Sequence, residues 1–146
     1  MIRSYKPADL DEIMKIWLDA NTQAHTFIDR QYWLANYNAV RADIPRASVY
    51  IYERNGHVLG FAGVCNNYLA GIFTAPEEQS KGIGAALLNV LKKQYASLFL
   101  RVYQKNSRAI RFYVREGFTQ TSKQIDAATG ETEFTMTWHP PSSLNE

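Results

Sequence analysis

The stretch Leu69–Leu91, LAGIFTAPEEQSKGIGAALLNVL, limits what this chain can fold into more than any other. Leu69 to Thr74 is apolar and carries β-branched Ile72 and Thr74, the composition of a buried strand. Pro76 stops the strand, because proline has no N–H to give a ladder. The polar run Glu77-Glu78-Gln79-Ser80-Lys81 follows, and then Gly82 and Gly84. From Ala85 onward strong helix formers dominate, with Ile83, Leu87, Val90 and Leu91 on one face. The segment therefore reads as strand, glycine turn, helix. The first turn of a helix has unpaired N–H groups and a partial positive charge, and glycine lets an anion approach them. A tight strand–helix connection without a ligand uses the same letters, so the glycines alone assign no function.

Two known phosphate loops fail here. A Walker loop requires G-x-x-x-x-G-K-S/T, a string the chain lacks. A dinucleotide fingerprint needs a third Gly or Ala, and that place is Leu87; it also needs an acid about 20 residues on, and Val102 to Asn106 offers none. The segment Gln79-Ser80-Lys81-Gly82-Ile83-Gly84 instead fits Q/R-x-x-G-x-G/A.

The chain's 146 residues suit one domain with a sizeable core, expected over residues 1–140 with a polar tail at 141–146. No run of about 18 apolar residues is present, so no membrane span or membrane partner is expected. Met1-Ile2-Arg3-Ser4-Tyr5 lacks the apolar region of a signal peptide. With one cysteine, Cys65, no internal disulfide forms, and a cytoplasmic location is the expectation. Cys65 ends an apolar run and reads as a small buried hydrophobe. A net charge of +2 is too weak to argue for nucleic acid.

Around the organising stretch the elements alternate. Ile2 to Tyr5 reads as a short strand. Pro7 opens a helix with Leu10, Ile13, Met14 and Trp17 on one stripe, fading by Asn21-Thr22. An apolar loop, Ala24 to Ile28, carries His25. A second helix runs from Asp29 to about Asp43, with Trp33, Tyr37, Val40 and Ile44 at helical spacing, and Pro45 ends it. Ser48 to Tyr52 alternates as a strand, Asn55-Gly56 is a hairpin signal, and Val58 to Cys65 returns. Gly60 and Gly63 leave room for a bulge or a close backbone approach. Asn66-Asn67 turns the chain into Tyr68 and the organising strand. Beyond the long helix, Leu98 to Val102 is a strand, Asn106 can cap a helix and Gly117 can close it. Phe118 to Ile125 and Thr132 to Trp138 form a last strand pair. The expectation is an α/β fold: a mixed central sheet of about seven strands flanked by about four helices.

Asn106-Ser107-Arg108-Ala109-Ile110-Arg111-Phe112-Tyr113-Val114-Arg115-Glu116-Gly117-Phe118 reads N-x-x-A-x-x-F-Y-x-x-x-G-F and begins 22 positions after Gly84. Together with Gln79–Gly84, in this order and with one strand between, it resembles the two signature segments of the GCN5-related N-acetyltransferases (GNAT family). The element order matches too, over nearly the whole chain, and the length is similar to that of the small stand-alone bacterial members. The resemblance implies the GNAT fold, acetyl-CoA as co-substrate, no metal, and an amine acceptor that is a protein lysine, a protein N-terminus or a small amine. It implies transfer by direct attack in a ternary complex, in a monomer or homodimer. The backbone of Ile72, Phe73 and Thr74 would pair with the pantetheine arm like an added strand. The N–H groups of Ser80, Lys81, Gly82, Ile83, Gly84 and Ala85 would wrap the pyrophosphate. Asn106 would either reach the cofactor or only cap its helix, and Tyr113 would protonate the departing thiolate.

A lysine-like amine, with a pKa of about 10.4, is protonated at neutral pH, so the reaction needs a proton acceptor. Many family members carry a glutamate in the strand before the Asn segment. Here that place is Arg101, in Leu100-Arg101-Val102, and a guanidinium accepts no proton. His25, Tyr68 or a water relay are the substitutes on offer. The same departure leaves a non-catalytic acetyl-CoA sensor as the alternative function. Lys105, Arg108, Arg111 and Arg115 form a basic helix face, read as solvated, with the CoA 3′-phosphate or an acidic acceptor as the sharper use.

Overall fold

The computed structural model describes residues 1–141; 142–146, most of the stretch read as a polar tail, lie outside the described residues. Seven strands form one sheet: β1 (Ile2–Ser4), β2 (Ser48–Arg54), β3 (His57–Cys65), β4 (Tyr68–Thr74), β5 (Leu98–Tyr103), β6 (Thr119–Ile125) and β7 (Thr132–Trp138). Four helices cover it: α1 (Leu10–Ala24), α2 (Arg30–Asp43), α3 (Ile83–Gln94) and α4 (Ser107–Arg115). Short 3₁₀ turns at Pro7–Asp9, Ile44–Arg46 and Pro76–Glu78 carry Pro7, Pro45 and Pro76. The sheet order is β1-β2-β3-β4-β5-β7-β6, antiparallel throughout except for β4 beside β5.

Two cores lie on the two faces of this sheet. Ile13, Met14, Trp17 and Trp33 of α1 and α2 pack on Val49, Ile51, Val58 and Phe61. Ile83, Leu87, Leu88 and Leu91 of α3 and Tyr113 of α4 pack on Leu69, Leu98, Leu100, Val102, Met136 and Trp138. Asn55 and Gly56 take φ of 53° and 80°, the left-handed pair that a two-residue hairpin demands. The carboxylate of Asp29 accepts from the Gln31 N–H at 2.8 Å and so caps α2. Gly117, at φ 99°, closes α4: its N–H bonds Val114 O at 3.1 Å and the Phe118 N–H bonds Tyr113 O at 2.9 Å, the paired bonds of a Schellman end.

Two expectations need correcting. Helix α1 continues through Asn21 and Thr22 to Ala24, because Asn21 Nδ2 and Thr22 Oγ1 bond back to the Trp17 and Leu18 carbonyls instead of breaking the helix. Cys65 is exposed, since it ends β3 at the turn, beyond the last sheet position covered by helices.

The feature that matters most for function is the irregularity of β4. Gly63 faces Gly71 while Val64 faces Leu69, so Ala70 is an extra residue on β4. A one-residue bulge swaps the faces of everything that follows. Leu69 accordingly joins the α3–α4 core, whereas Phe73 stacks on Phe61 in the α1–α2 core, ring centroids 5.0 Å apart. The bent β4 pairs with β5 only at Tyr68↔Phe99, supported by the Phe99 N–H to Asn67 O bond of 3.0 Å. Beyond that point the two parallel strands part.

Candidate active site

The parting of β4 from β5 leaves the backbone edge of Ile72, Phe73 and Thr74 paired with β3 on one side only. An extended amide-bearing chain fits such an edge as an added strand would. Tyr68 sits where the two strands still touch, its ring tilted on Phe99 at 5.1 Å. Tyr113 reaches the same opening from α4 and is 7% exposed. Burial pushes its phenol pKa well above the usual value; a hydrogen bond from the Ile72 backbone opposes this, and the nearness of a second phenol, Tyr68, adds to it. Tyr113 therefore keeps its proton at neutral pH.

The chain beyond β4 forms an anion cradle. Ser80 and Gly82 have φ of 63° and 83°, with Lys81 between them outside the left-handed region. Alternation of this kind turns successive N–H groups toward one side and makes a nest for an anion. Gly82 is the N-cap of α3 and supplies no capping side chain, and the first turn has no acidic residue, so the leading N–H groups stay open. Gly84 stands against Ile72 and Phe112: a Cβ there would meet Phe112 Cζ at 3.5 Å and Ile72 Cγ2 at 3.7 Å. The loop and the free edge of β4 are thus continuous, and their donors suit an anionic group joined to an extended amide-bearing chain.

The structure joins two residues that lie far apart in sequence, His25 and Asn106. Asn106 Oδ1 accepts from the Ala109 N–H at 3.2 Å, capping α4, so its Nδ2 faces His25 Nε2 at 3.2 Å. With a donor opposite it, Nε2 is the acceptor, and the proton of the neutral ring sits on Nδ1. His25 stacks on Trp33 at 5.2 Å and meets Phe27 and Tyr103 edge-on. Burial lowers its pKa below the ordinary histidine value, with the Asn21 backbone working weakly the other way. The lone pair of His25 therefore points at a helix cap and not into the opening. His25 and Tyr68 also adjoin opposite ends of β5, at Tyr103 and Phe99, four residues or about 13 Å apart.

Tyr68 has a raised pKa, first through burial and then through the opposing charges of Arg101, which lowers it, and Glu133, which raises it. Glu133 stands opposite Tyr103 on β7, and Arg101 opposite Thr135. The charge of a β7 carboxylate thus reaches Tyr68, a relation that spacing along one strand does not reveal. A second contact is also invisible in sequence. Tyr103 donates to Asp126 Oδ2 at 2.6 Å, and Thr129 Oγ1 bonds the same oxygen at 3.1 Å, so the β6–β7 turn is tied to the end of β5. Burial pushes the Asp126 pKa up, but hydrogen bonds from Tyr103, the Ala128 N–H and Thr129 win and lower it. The turn faces Phe27, Ile28, Asp29 and Tyr32 across a cleft of about 210 Å³. The Asp-Ala-Ala-Thr-Gly sequence of the turn is readable in advance; its partner Tyr103, 23 residues earlier, is not.

The basic face of α4 is not a uniform solvated stripe. Lys105 pairs with Glu131 at 3.1 Å and lies over the Phe27 ring, Arg115 lies over Phe112, and Arg108 reaches back to the glycine loop.

The profile of the acetyltransferase (GNAT) family matches residues 10–118. The peptidyl-lysine N-acetyltransferase YiaC of Escherichia coli K12 is 38% identical over 120 residues, covering 81% of this chain and 82% of its own. The solution structure of apo YjaB from Escherichia coli superposes with a TM-score of 0.84 at 20% identity, over 94% of this chain and 96% of that one. The structure of yncA from Salmonella typhimurium with its cofactor acetyl-CoA gives 0.69 at 21% identity, over 98% of each chain. With the bulged β4, its parting from β5 and the open glycine loop in place, the chain belongs to the GNAT family of acyl-CoA-dependent N-acetyltransferases.

Proposed function

We propose that this protein transfers the acetyl group of acetyl-CoA to the ε-amine of a protein lysine. The observation that carries the reading is the β4–β5 opening, where the β4 edge has no strand partner and the Tyr113 hydroxyl lies at the Ile72 backbone. The acceptor class rests on the 38% identity to a peptidyl-lysine N-acetyltransferase, and acetyl-CoA is the cofactor in the yncA complex. In this reading the nest at Ser80–Gly82 and the first N–H groups of α3 take the pyrophosphate. The edge of Ile72–Thr74 takes the pantetheine amides. Both dispositions leave the thioester near Ile72, where a backbone N–H stabilises the carbonyl oxygen as negative charge develops on it.

The amine nitrogen attacks the thioester carbonyl carbon, the C–S bond breaks, Tyr113 gives its proton to the sulfur, and the proton that the nitrogen sheds as the amide forms returns to Tyr113 through water. The hydroxyl is protonated at neutral pH, and its place at the Ile72 backbone, where the thioester would lie, supports this role. The ammonium proton leaves by a water relay through Tyr68. Tyr68 is neutral at pH 7, so its hydroxyl accepts one proton as it passes on its own. His25 is the weaker base candidate, since Asn106 occupies its lone pair.

The test is release of free thiol from acetyl-CoA in the presence of lysine-containing peptides, N-terminal peptides blocked at lysine, and small amines, with mass spectrometry of the products. Acetylated lysine with stoichiometric thiol is the expected result. Thiol release with small amines alone would overturn the protein-lysine assignment while leaving acetyl transfer standing.

A further inference from the structure

Arg108 is exposed, but its guanidinium is bonded to the loop and not left to solvent. Its Nη1 donates to Gln79 Oε1 at 2.9 Å and its Nη2 to Ser80 Oγ at 2.9 Å. Both acceptors belong to the loop between β4 and α3, and both are neutral. Gln79 is held from the other side as well, its Nε2 donating to Gln23 Oε1 of α1 at 2.9 Å. One guanidinium thus bridges α4 to the loop, and the loop is tied in turn to the end of α1. The loop's own cation, Lys81, is paired with Glu78 at 3.3 Å. Arg3, Arg41 and Arg54 each have a carboxylate within 4 Å, and among the described residues Arg108 has none. An unneutralised guanidinium is therefore parked on an amide oxygen and a hydroxyl at the rim of the anion nest.

An anionic acceptor adds Coulomb attraction that an amide oxygen or a hydroxyl lacks, and a guanidinium matches two phosphate oxygens with its fork. A phosphate arriving at the nest competes favourably for Arg108 against Gln79 and Ser80. We propose that Arg108 is a phosphate-binding residue for the acyl carrier, exchanging Gln79 and Ser80 for a phosphate of CoA, and that it sets a preference for CoA thioesters over bare pantetheine thioesters. This rests on the reading of the loop as the CoA site. The phosphate chemistry is common to the pyrophosphate and the 3′-phosphate of CoA.

The experiment is calorimetric titration of the wild type, Arg108→Gln and Arg111→Gln with CoA and with 3′-dephospho-CoA, alongside kcat/KM for S-acetyl-pantetheine. Arg111 is exposed, one turn along the same helix, and serves as the control for charge alone. Arg108→Gln is expected to weaken CoA at least tenfold, ~1.4 kcal/mol, to leave kcat/KM for S-acetyl-pantetheine within twofold, and to melt with the wild type. Arg111→Gln is expected to bind CoA within twofold of the wild type. If the loss persists with 3′-dephospho-CoA, the contact is to the pyrophosphate; if it vanishes, the contact is to the 3′-phosphate. Unchanged CoA affinity in Arg108→Gln, an equal loss in Arg111→Gln, or an equal loss with S-acetyl-pantetheine overturns the assignment. A wild type that binds no CoA at all would instead sink the reading of the loop on which it rests.

Discussion

At the residue scale, Tyr113 carries the firmest chemical expectation. Its ring packs against Phe112 and Phe118, at 5.2 and 5.4 Å between centroids, so Tyr113→Phe keeps the packing and removes only the hydroxyl. A positioned acid typically contributes ~10²–10⁴-fold to rate. Turnover should fall at least ~10-fold, ~1.4 kcal/mol of barrier, while CoA affinity stays within about threefold. Wild-type turnover in a folded Phe variant, under conditions where chemistry limits the rate, would remove Tyr113 from the mechanism. His25 makes a different statement, about stability. Its folded pKa lies below the ordinary value, so as pH falls the unfolded chain takes up the proton first. The stability it contributes is complete above about pH 6.5 and is lost as pH drops through that value toward the lower folded pKa, with a slope of at most ~1.4 kcal/mol per pH unit. Glutamine can still accept from Asn106 but does not titrate. Chemical denaturation at a series of pH values should therefore show this step in the wild type and not in His25→Gln; identical pH profiles would mean that the ring is free to protonate in the folded state.

At the element scale, the strand–loop–helix unit was legible because its signals are local. Pro76, Gly82 and the apolar face of Ile83, Leu87 and Leu91 each speak within a few residues, and the structure has them in those roles, whereas Gly84 already lies within α3 and Leu88 is buried where Val90 was expected. The caps at Asn106 and Gly117 were equally readable, since a cap is a contact over three or four positions. The bulge at Ala70 was not legible. Gly60 and Gly63 on β3 announce close approach, but the extra residue sits on β4, and only pairing decides which strand carries it. The same limit hid the Glu133–Tyr68 and Arg108–Gln79 relations, which join residues from different elements. The glycines of the loop also divide unequally. Gly82 holds φ 83°, where any L-residue is strained, whereas a Cβ at Gly84 makes only ordinary contact with Phe112 and Ile72. Gly82→Ala should lose about 1–2 kcal/mol of stability and weaken CoA about tenfold. Gly84→Ala should stay within about 0.5 kcal/mol of the wild type. Equal melting curves for the two variants would mean that the turn relaxes to accept a side chain at Gly82.

At the scale of the whole molecule, the sheet is divided where it works. β1 to β4 form one antiparallel block and β5, β7 and β6 another, and the two meet at one ladder position, Tyr68↔Phe99, with α3 packed across the join. Among the described residues, the opening between them leaves β4 backbone inside the sheet without a strand partner, so a ligand that fills it completes the sheet and links both blocks. The free protein cannot make those cross-block bonds. A ligand that binds only the folded state stabilises it by RT ln(1 + [L]/Kd), about 2.7 kcal/mol at a hundredfold excess over Kd. For a domain of this size that corresponds to a rise in Tm of roughly 5–10 °C. Amide exchange should slow along Ile72–Thr74 as well as in Ser80–Ala85, because both the strand edge and the nest gain acceptors. Protection confined to Ser80–Ala85, with a raised Tm and unchanged exchange at Ile72–Thr74, would mean that the phosphates dock while the pantetheine arm stays outside, and the added-strand account of this site would fall. Protection of both segments, absent when inorganic pyrophosphate replaces CoA at saturating concentration, would tie the slowed exchange of β4 to the arm itself.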